Sequence, residues 1–279
     1  MLHILNILNM FKYISFSLTC MFSYTKIFFW GITIYLSKKE KEKNQKIYQC
    51  LLKNILSSGS VPIKFIQWLI PFLYITMEPE YHYILEMFKE TYENCLFHSM
   101  EETEKIYLEL FKNDINDDYE NIQEISSGSI GQVYKITDKN TKKDYALKVI
   151  HPFVRYELFI VKYFIYYLTK LFDINNIILF DLNLFLIDFE QQKDFINEGN
   201  NIMYFYHQYK DNHKIKIPQL NYLSNDLLIM EFLEGKKIND FKEHNQYKYS
   251  LLFLLFVNNN LQFLKLNHGD LHEGNYKIN

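Results

Sequence analysis

Three groups of residues in this chain have types and spacings suited to chemistry on phosphates. The first is His268-Gly269-Asp270-Leu271-His272-Glu273-Gly274-Asn275, which pairs a carboxylate with a carboxamide a short loop apart. Asp270 in such a loop accepts or positions the proton of an attacking hydroxyl, and Asn275 offers an oxygen to Mg²⁺. The second is Ser126-Ser127-Gly128-Ser129-Ile130-Gly131-Gln132-Val133. Glycines at this spacing let backbone N–H groups approach and face phosphate oxygens. The third is Lys148, which lies 17 residues after Gly131 inside the apolar run Tyr145-Ala146-Leu147-Lys148-Val149-Ile150. A lysine there holds α- and β-phosphates if it faces inward, or solvent if the strand is half-exposed, since alternation puts residues 146, 148 and 150 on one face.

Each group also has a plainer reading. Glycines are common in hairpin turns, and an Asp/His/Glu cluster can be a solvated turn. His268 and His272 have the spacing of a helical zinc pair, but Gly269 and Gly274 argue against a helix. The order of the groups raises their weight. Together they follow the spacing of a kinase glycine loop, its strand lysine and a His-x-Asp-x-x-x-x-Asn catalytic loop. A carboxylate must then position the lysine. Glu190, Asp194 and Glu198 lie on nearly the same face of one helical stretch, and helical position alone does not choose among them. The run Met230-Glu231-Phe232-Leu233-Glu234-Gly235 fits a hinge strand whose backbone near Glu231 and Leu233 would meet adenine.

The elements that must position these groups follow from periodicity. Residues 45–113 read as helical, with a helix from Pro62 broken at Pro71 and resumed after Pro79. Ser99 with Glu102 has the capping-box spacing. Near Tyr119 the pattern changes to alternation, and Glu120–Ile125, Gly131–Thr137 and Asp144–Ile150 read as three antiparallel strands. Helical patterns return from Pro152 to Tyr209. Two further strands flank the turn Ser224-Asn225-Asp226, and an apolar helix runs from Tyr247 to Leu266.

Composition bounds the rest. The chain has 279 residues, 48% of them hydrophobic, enough for a substantial core. Its abundant Tyr, Phe, Asn, Lys and Ile reflect coding bias more than function. The formal charge of −3 gives no reason to expect nucleic acid as a partner. Cys20, Cys50 and Cys95 are widely spaced and form neither a metal motif nor a disulfide framework. Residues Tyr13–Leu36 are long and apolar enough to suggest a transmembrane helix, with Trp30 and Tyr35 at an interface. Lys26 would be costly at its centre, and a helix lying on the protein or on a membrane surface is the alternative. The lysine-rich run Ser37–Lys46 would favour a cytosolic or matrix side.

Taken together, the motifs resemble the UbiB or aarF-domain atypical kinases. That family has Ala-Ala-Ala-Ser-Ile-Gly-Gln-Val where this chain has Ser126 to Val133, and Ser129-Ile130-Gly131-Gln132-Val133 is the most specific match. His151-Pro152 matches an element after the lysine. Asp194-Phe195-Ile196-Asn197-Glu198-Gly199-Asn200-Asn201 resembles a family helix, which selects Glu198 as the partner of Lys148. The catalytic loop keeps His268, Asp270, His272, Gly274 and Asn275. Lys64-Phe65-Ile66-Gln67 is a degenerate form of a Lys-x-Gly-Gln signature whose helix folds over the active site and limits access of protein substrates, making Lys64 and Gln67 the regulatory candidates. Gly128 replaces an alanine, a change that bears on nucleotide preference.

The resemblance covers about residues 60–279. It implies an α+β, protein-kinase-like fold with a helical N-terminal extension, a small β-rich N-lobe and an incomplete helical C-lobe. The divisions are an apolar segment and charged linker (1–44), the helical extension (45–118), the N-lobe with a helical insert (119–235) and the start of the C-lobe (236–279). It implies ATP and Mg²⁺ as cofactors, bound by Ser126, Gly128, Ser129, Ile130, Gly131, Val133 and Lys148, with Asp270, Lys148 and Glu198 catalytic and Asn275 on the metal. It implies a membrane or lipid partner, a link to ubiquinone metabolism and a mitochondrial setting if the gene is nuclear. An Asp-Phe-Gly aspartate after Asn275 is not in the chain, so a fragment, a split protein or a non-catalytic pseudokinase is an alternative expectation. A choline- or aminoglycoside-type phosphotransferase is another, though it lacks the Ser-Ile-Gly-Gln-Val match.

Overall fold

The computed structural model describes residues 2–36, 41–92, 95–171, 181–265 and 276–278. They form two compact units, Met1–Met230 and Glu231–Asn279. Helices of the first unit are α1 (Leu2–Leu36), α2 (Lys41–Leu56), α3 (Ser60–Thr76), α4 (His82–Phe88), α5 (Met100–Phe111), α6 (Ile115–Asp118), α7 (Val154–Leu171), α8 (Leu182–Gln192) and α9 (Phe195–Tyr209). The strands are β1 (Tyr119–Ser127), β2 (Gly131–Asp138), β3 (Asp144–Ile150), β4 (Leu220–Leu223) and β5 (Leu227–Glu231), in the sheet order β1-β2-β3-β5-β4.

The alternation that predicts β2 and β3 also explains their place. Tyr134, Ile136, Leu147 and Val149 are fully buried and pack with Tyr107 of α5 and with Leu227 and Ile229 of β5. The β2–β3 turn is set by Asp138, whose Oδ1 accepts the Asn140 and Thr141 N–H groups at 3.0 and 2.6 Å. This is a side-chain turn that fixes the register of Val133 against Lys148. A second core joins Val61 of α3, Val154 and Leu158 of α7, Phe185 and Phe189 of α8 and Phe195 of α9 to Ile130 in the glycine loop.

Two helix details differ from the sequence reading. Pro71 does not break its helix: α3 runs through it from Ser60 to Thr76. Proline removes the N–H that would bond the Gln67 carbonyl four residues back, and the Tyr92 hydroxyl donates to that carbonyl at 2.8 Å instead. Ser99 does stand at the α5 N-cap, but its side chain makes no capping bond. The Glu102 N–H bonds the Ser99 carbonyl at 3.1 Å.

The transmembrane expectation is corrected. Among the described residues no helix is long and apolar enough to cross a membrane. Hydroxyl side chains dilute α1, and one of its faces is committed to the protein. Phe16 stacks on Phe153 with ring centroids 4.7 Å apart, Ser17 and the Tyr156 hydroxyl are 3.1 Å apart, and Tyr24 donates to Glu157 at 2.5 Å. Glu157 of α7 in turn accepts the Ser60 and Val61 N–H groups at the start of α3, at 2.8 and 3.2 Å. One carboxylate thus ties α1, α3 and α7 together. Burial pushes its pKa up to about 7, while the Tyr24, Ser60 and Val61 bonds pull the other way.

In the second unit, α10 spans Glu243–Asn259 and is followed by a wider helical turn, Asn260–Leu264. Lys236 and Ile278 exchange backbone hydrogen bonds at 2.9 Å each way, and Phe253 packs on Tyr276.

Candidate functional site

Lys148 lies mid-strand in β3, directly across from Val133 in β2. Its Nζ donates to both carboxylate oxygens of Glu198, at 2.7 and 2.6 Å, and stands 5.0 Å from the Phe195 ring centroid. The side chains of the pair are 24% and 32% exposed, so the pair is reachable yet largely screened. The local sequence explains the approach of α9. Asp194 caps the helix by accepting the Ile196 N–H at 2.9 Å, and Phe195 is fully buried beneath the sheet. Glu198 then falls one turn in, on the face toward β3. The two other carboxylates that periodicity left open have different work: Asp194 is this cap, and Glu190 pairs with Lys193 at 2.7 Å and Lys162 at 3.6 Å.

The glycine loop joins β1 to β2. The Gly128 N–H donates to the Gly131 carbonyl at 3.0 Å. Gly131 is required by packing. A Cβ on it would lie 2.5 Å from the Val149 carbonyl oxygen and 3.1 Å from the Phe195 ring. Ser126 is exposed and Val133 half-buried, whereas Ser127, Ser129 and Ile130 are buried. Ser129 Oγ donates to Gln67 Oε1 at 3.3 Å, and Gln67 Nε2 donates to the Thr91 carbonyl at 2.6 Å. The degenerate signature helix, α3, therefore lies on the loop. Lys64, also on α3, is buried. Its charge is felt by Cys95, whose thiol burial nevertheless pushes up to about 12.

Behind the loop sits a pair of imidazoles that the sequence reading did not link. His151 Nε2 bonds the Gly128 carbonyl at 2.9 Å, and the His151 backbone N–H donates to the Ile130 carbonyl at 2.8 Å. His98, from the segment preceding α5, meets His151 through their Nδ1 atoms at 2.8 Å. Burial holds His98 down at about 4, reinforced by His151, and burial lowers His151 as well. The motif Ile150-His151-Pro152 pointed to His151, but no periodicity or motif marks His98.

Asp270 and Asn275 lie outside the described residues, as does the rest of the His268–Asn275 loop. Among the described residues no group of three or more His, Cys, Asp or Glu side chains is arranged to hold a metal. Glu231 ends β5 and Leu233 follows it in the second unit, both half-buried.

A model of the ABC1 atypical kinase-like domain matches residues 91–279. The chain belongs to this family. Its five-stranded sheet with the Lys148–Glu198 pair is accordingly the small lobe of a kinase-like fold. An Arabidopsis thaliana relative, protein ACTIVITY OF BC1 COMPLEX KINASE 1, chloroplastic, is 29% identical over 170 residues, which cover 55% of this chain and 24% of the relative. An uncharacterized aarF domain-containing protein kinase of the same plant, also chloroplastic, is 25% identical over 163 residues, covering 54% of this chain and 22% of the relative. The chain thus spans less than a quarter of the length of either. A Mycobacterium tuberculosis protein solved in complex with erythromycin is 21% identical, with a TM-score of 0.49 over 63% of this chain and 47% of that one.

Proposed function

We propose that this ABC1-family chain binds ATP with Mg²⁺ at the glycine loop and Lys148. The observation that carries the reading is the two-point ion pair of Lys148 with Glu198 beside Gly131. A lysine held this way by a helix carboxylate is oriented to meet α- and β-phosphates. The backbone from Ser129 to Gly131 is the proposed source of N–H groups, and Glu231 and Leu233 are the proposed adenine contacts. Mg²⁺, when bound, neutralises charge on the phosphates; Asn275 is its proposed ligand, and Asp270 the proposed proton acceptor. The expected result is a thermal shift with ATP or ADP that depends on Mg²⁺ and disappears in Lys148→Met. No shift in folded wild-type protein would overturn the reading.

One observation favours a nucleotide-holding relative without turnover: α3 lies on the glycine loop through Gln67 and Ser129. Phosphoryl transfer or ATP hydrolysis that is lost in Asp270→Asn decides against it.

We propose further that α1 meets a lipid surface without crossing it. Phe11, Leu18, Phe22 and Phe29 are exposed on the face away from Cys20 and Tyr24, and Met10, Ile14, Met21 and Phe28 are exposed on its flank. The lysines at 38, 39, 41 and 43 that follow in sequence complement anionic head groups. The membrane or lipid partner that the family resemblance implies fits such a surface, and the chloroplastic names of both relatives favour an organelle setting. Co-sedimentation with anionic vesicles, lost in Leu18→Glu/Phe22→Glu, is the expected outcome. Equal recovery of the variant and wild type would refute it.

A further inference from the structure

We propose that His98 and His151 are positioning residues, joined by one proton between their Nδ1 atoms, so that His151 Nε2–H holds the Gly128 carbonyl and ties the glycine loop to the helical extension. This rests on reading the loop as the nucleotide loop, but the geometry that supports it is independent of nucleotide.

The argument is one of hydrogen-bond polarity. A carbonyl only accepts, so His151 Nε2 carries a proton toward Gly128, 2.9 Å away. In a neutral imidazole the other nitrogen is then bare. His151 Nδ1 must accept from His98 Nδ1–H, 2.8 Å away. That leaves His98 Nε2 bare, and it accepts from the Thr103 hydroxyl at 2.8 Å. The Thr103 oxygen accepts from the Tyr134 hydroxyl at 2.8 Å. Gln132 closes the chain. Its Oε1 accepts the His98 backbone N–H at 2.8 Å, which fixes the amide so that Nε2 donates to the Tyr134 oxygen. Every group has one consistent role, and the order runs from Gln132 to Gly128. Among the described residues no buried side-chain nitrogen or oxygen is left without a partner.

The result assigns the proton of His98 to Nδ1. It also explains the direction of the Gly128 peptide. Its N–H faces the Gly131 carbonyl at 3.0 Å while its carbonyl is turned inward to His151. The chain joins β2 (Gln132, Tyr134), α5 (Thr103), the segment before α5 (His98) and the end of β3 (His151). A shift of the extension is thereby transmitted to the loop.

An added proton has no good place. On His151 Nδ1 it faces the His98 N–H. On His98 Nε2 it turns Thr103 around and sets Tyr134 against the Gln132 amide. The charged groups facing the chain are Lys148 on β3, which disfavours a charged His151, and Glu104 on α5 and Glu124 on β1, which face Tyr134. Both imidazoles have folded pKa values below 6.5, so the clamp is complete above pH 6.5 and is lost as pH falls toward about 4.

Three measurements on the full chain test this. Imidazole ¹⁵N shifts at pH 7 are expected to report Nδ1–H for His98 and Nε2–H for His151, both neutral. Hydrogen exchange at the Gly128 and His151 amides is expected to quicken about tenfold or more in His151→Phe, and in wild type as pH falls from 6.5 to 4. In His151→Gln, which keeps a donor toward Gly128, exchange stays near wild type. Affinity for ADP is expected to fall with loop protection across wild type, His151→Gln, Thr103→Val and His151→Phe. Near-ultraviolet circular dichroism verifies that each variant is folded. The opposite tautomers, or loop exchange in folded His151→Phe equal to wild type, would overturn the proposal whatever the nucleotide does. His151-dependent loop exchange in a chain that binds no ADP would keep the clamp and refute only the nucleotide reading. Loop exchange and ADP affinity both unchanged in His151→Phe, with ADP binding lost in Lys148→Met, would keep the nucleotide reading and refute the clamp.

Discussion

The two glycines of the loop are predicted to respond in opposite ways to the same added methyl group. At Gly131 a Cβ would stand 2.5 Å from the Val149 carbonyl oxygen, where ordinary contact begins at 3.4 Å, a shortfall of about 0.9 Å. The obstructing atom is backbone in β3, between β2 and β5, so no side chain can swing aside. The next neighbour, the Phe195 ring at 3.1 Å, is itself fully buried. Gly131→Ala must therefore push β2 from β3, at a cost of about 3 kcal/mol, the upper part of the overpacking range. For a unit of this size that is a fall in Tm of roughly 6–12 °C. Because Val149 adjoins Lys148, the Lys148–Glu198 geometry and the ADP-dependent shift should go with it. At Gly128 the nearest atom is 3.6 Å away and φ is not in the left-handed region. Gly128→Ala, which restores the residue of the resembling family, should stabilise by about 0.5 kcal/mol through the unfolded chain. Differential scanning fluorimetry with and without MgADP on both variants is the assay. A Gly131→Ala protein within 2 °C of wild type, or a Gly128→Ala protein as damaged as Gly131→Ala, would refute this account of the loop.

Three further outcomes follow from other contacts. Glu157 has a folded pKa raised to about 7 from 4.5, so its favourable contribution is present below pH 4.5 and is lost as pH rises through about 7. That amounts to about 3 kcal/mol over the window, which urea unfolding at pH 5 and pH 8 should register and Glu157→Gln should flatten. Lys148→Met and Glu198→Gln should show a coupling energy of roughly 1 kcal/mol in a double-mutant cycle, given their partial exposure, and additive effects would count against the pair. Tyr92→Phe removes the donor to the Gln67 carbonyl and should cost about 1 kcal/mol; adding Pro71→Ala, which returns an N–H to that carbonyl, should recover part of it in chemical denaturation.

What could be read from the sequence was whatever is set locally. The alternation of Tyr134, Ile136, Leu147 and Val149 required strands with a buried face, and these are β2 and β3. Ser224-Asn225-Asp226 marked the β4–β5 turn, where the Ser224 hydroxyl accepts the Leu227 N–H at 3.0 Å. Lys148 stood out because a charge inside an apolar strand needs a reason. Its partner could not be chosen by periodicity, since Glu190, Asp194 and Glu198 share a face; the choice came from the family motif. The structure separates them by what each meets: Lys162 and Lys193, the start of α9, and Lys148.

What could not be read from the sequence depends on partners far along the chain. Pro71 signals a helix break only while the Gln67 carbonyl has no other donor, and the donor is Tyr92, 25 residues from it. The first helix reads as a membrane span only while its inward stripe has nothing to touch, and it touches Tyr156 and Glu157, more than 130 residues away. His98 carries no motif because its meaning comes from His151, 53 residues on, and from Thr103 and Gln132. In each case a polar or aromatic side chain from elsewhere in the chain supplies the missing partner. The His98 contacts also join the helical extension to the small lobe. The sequence therefore shows the residues proposed to face phosphate more readily than the contacts that hold them. Those contacts, from Gln67 on Ser129 to His98 on His151, lie between the helices and the loop, where a change in the extension would reach the site.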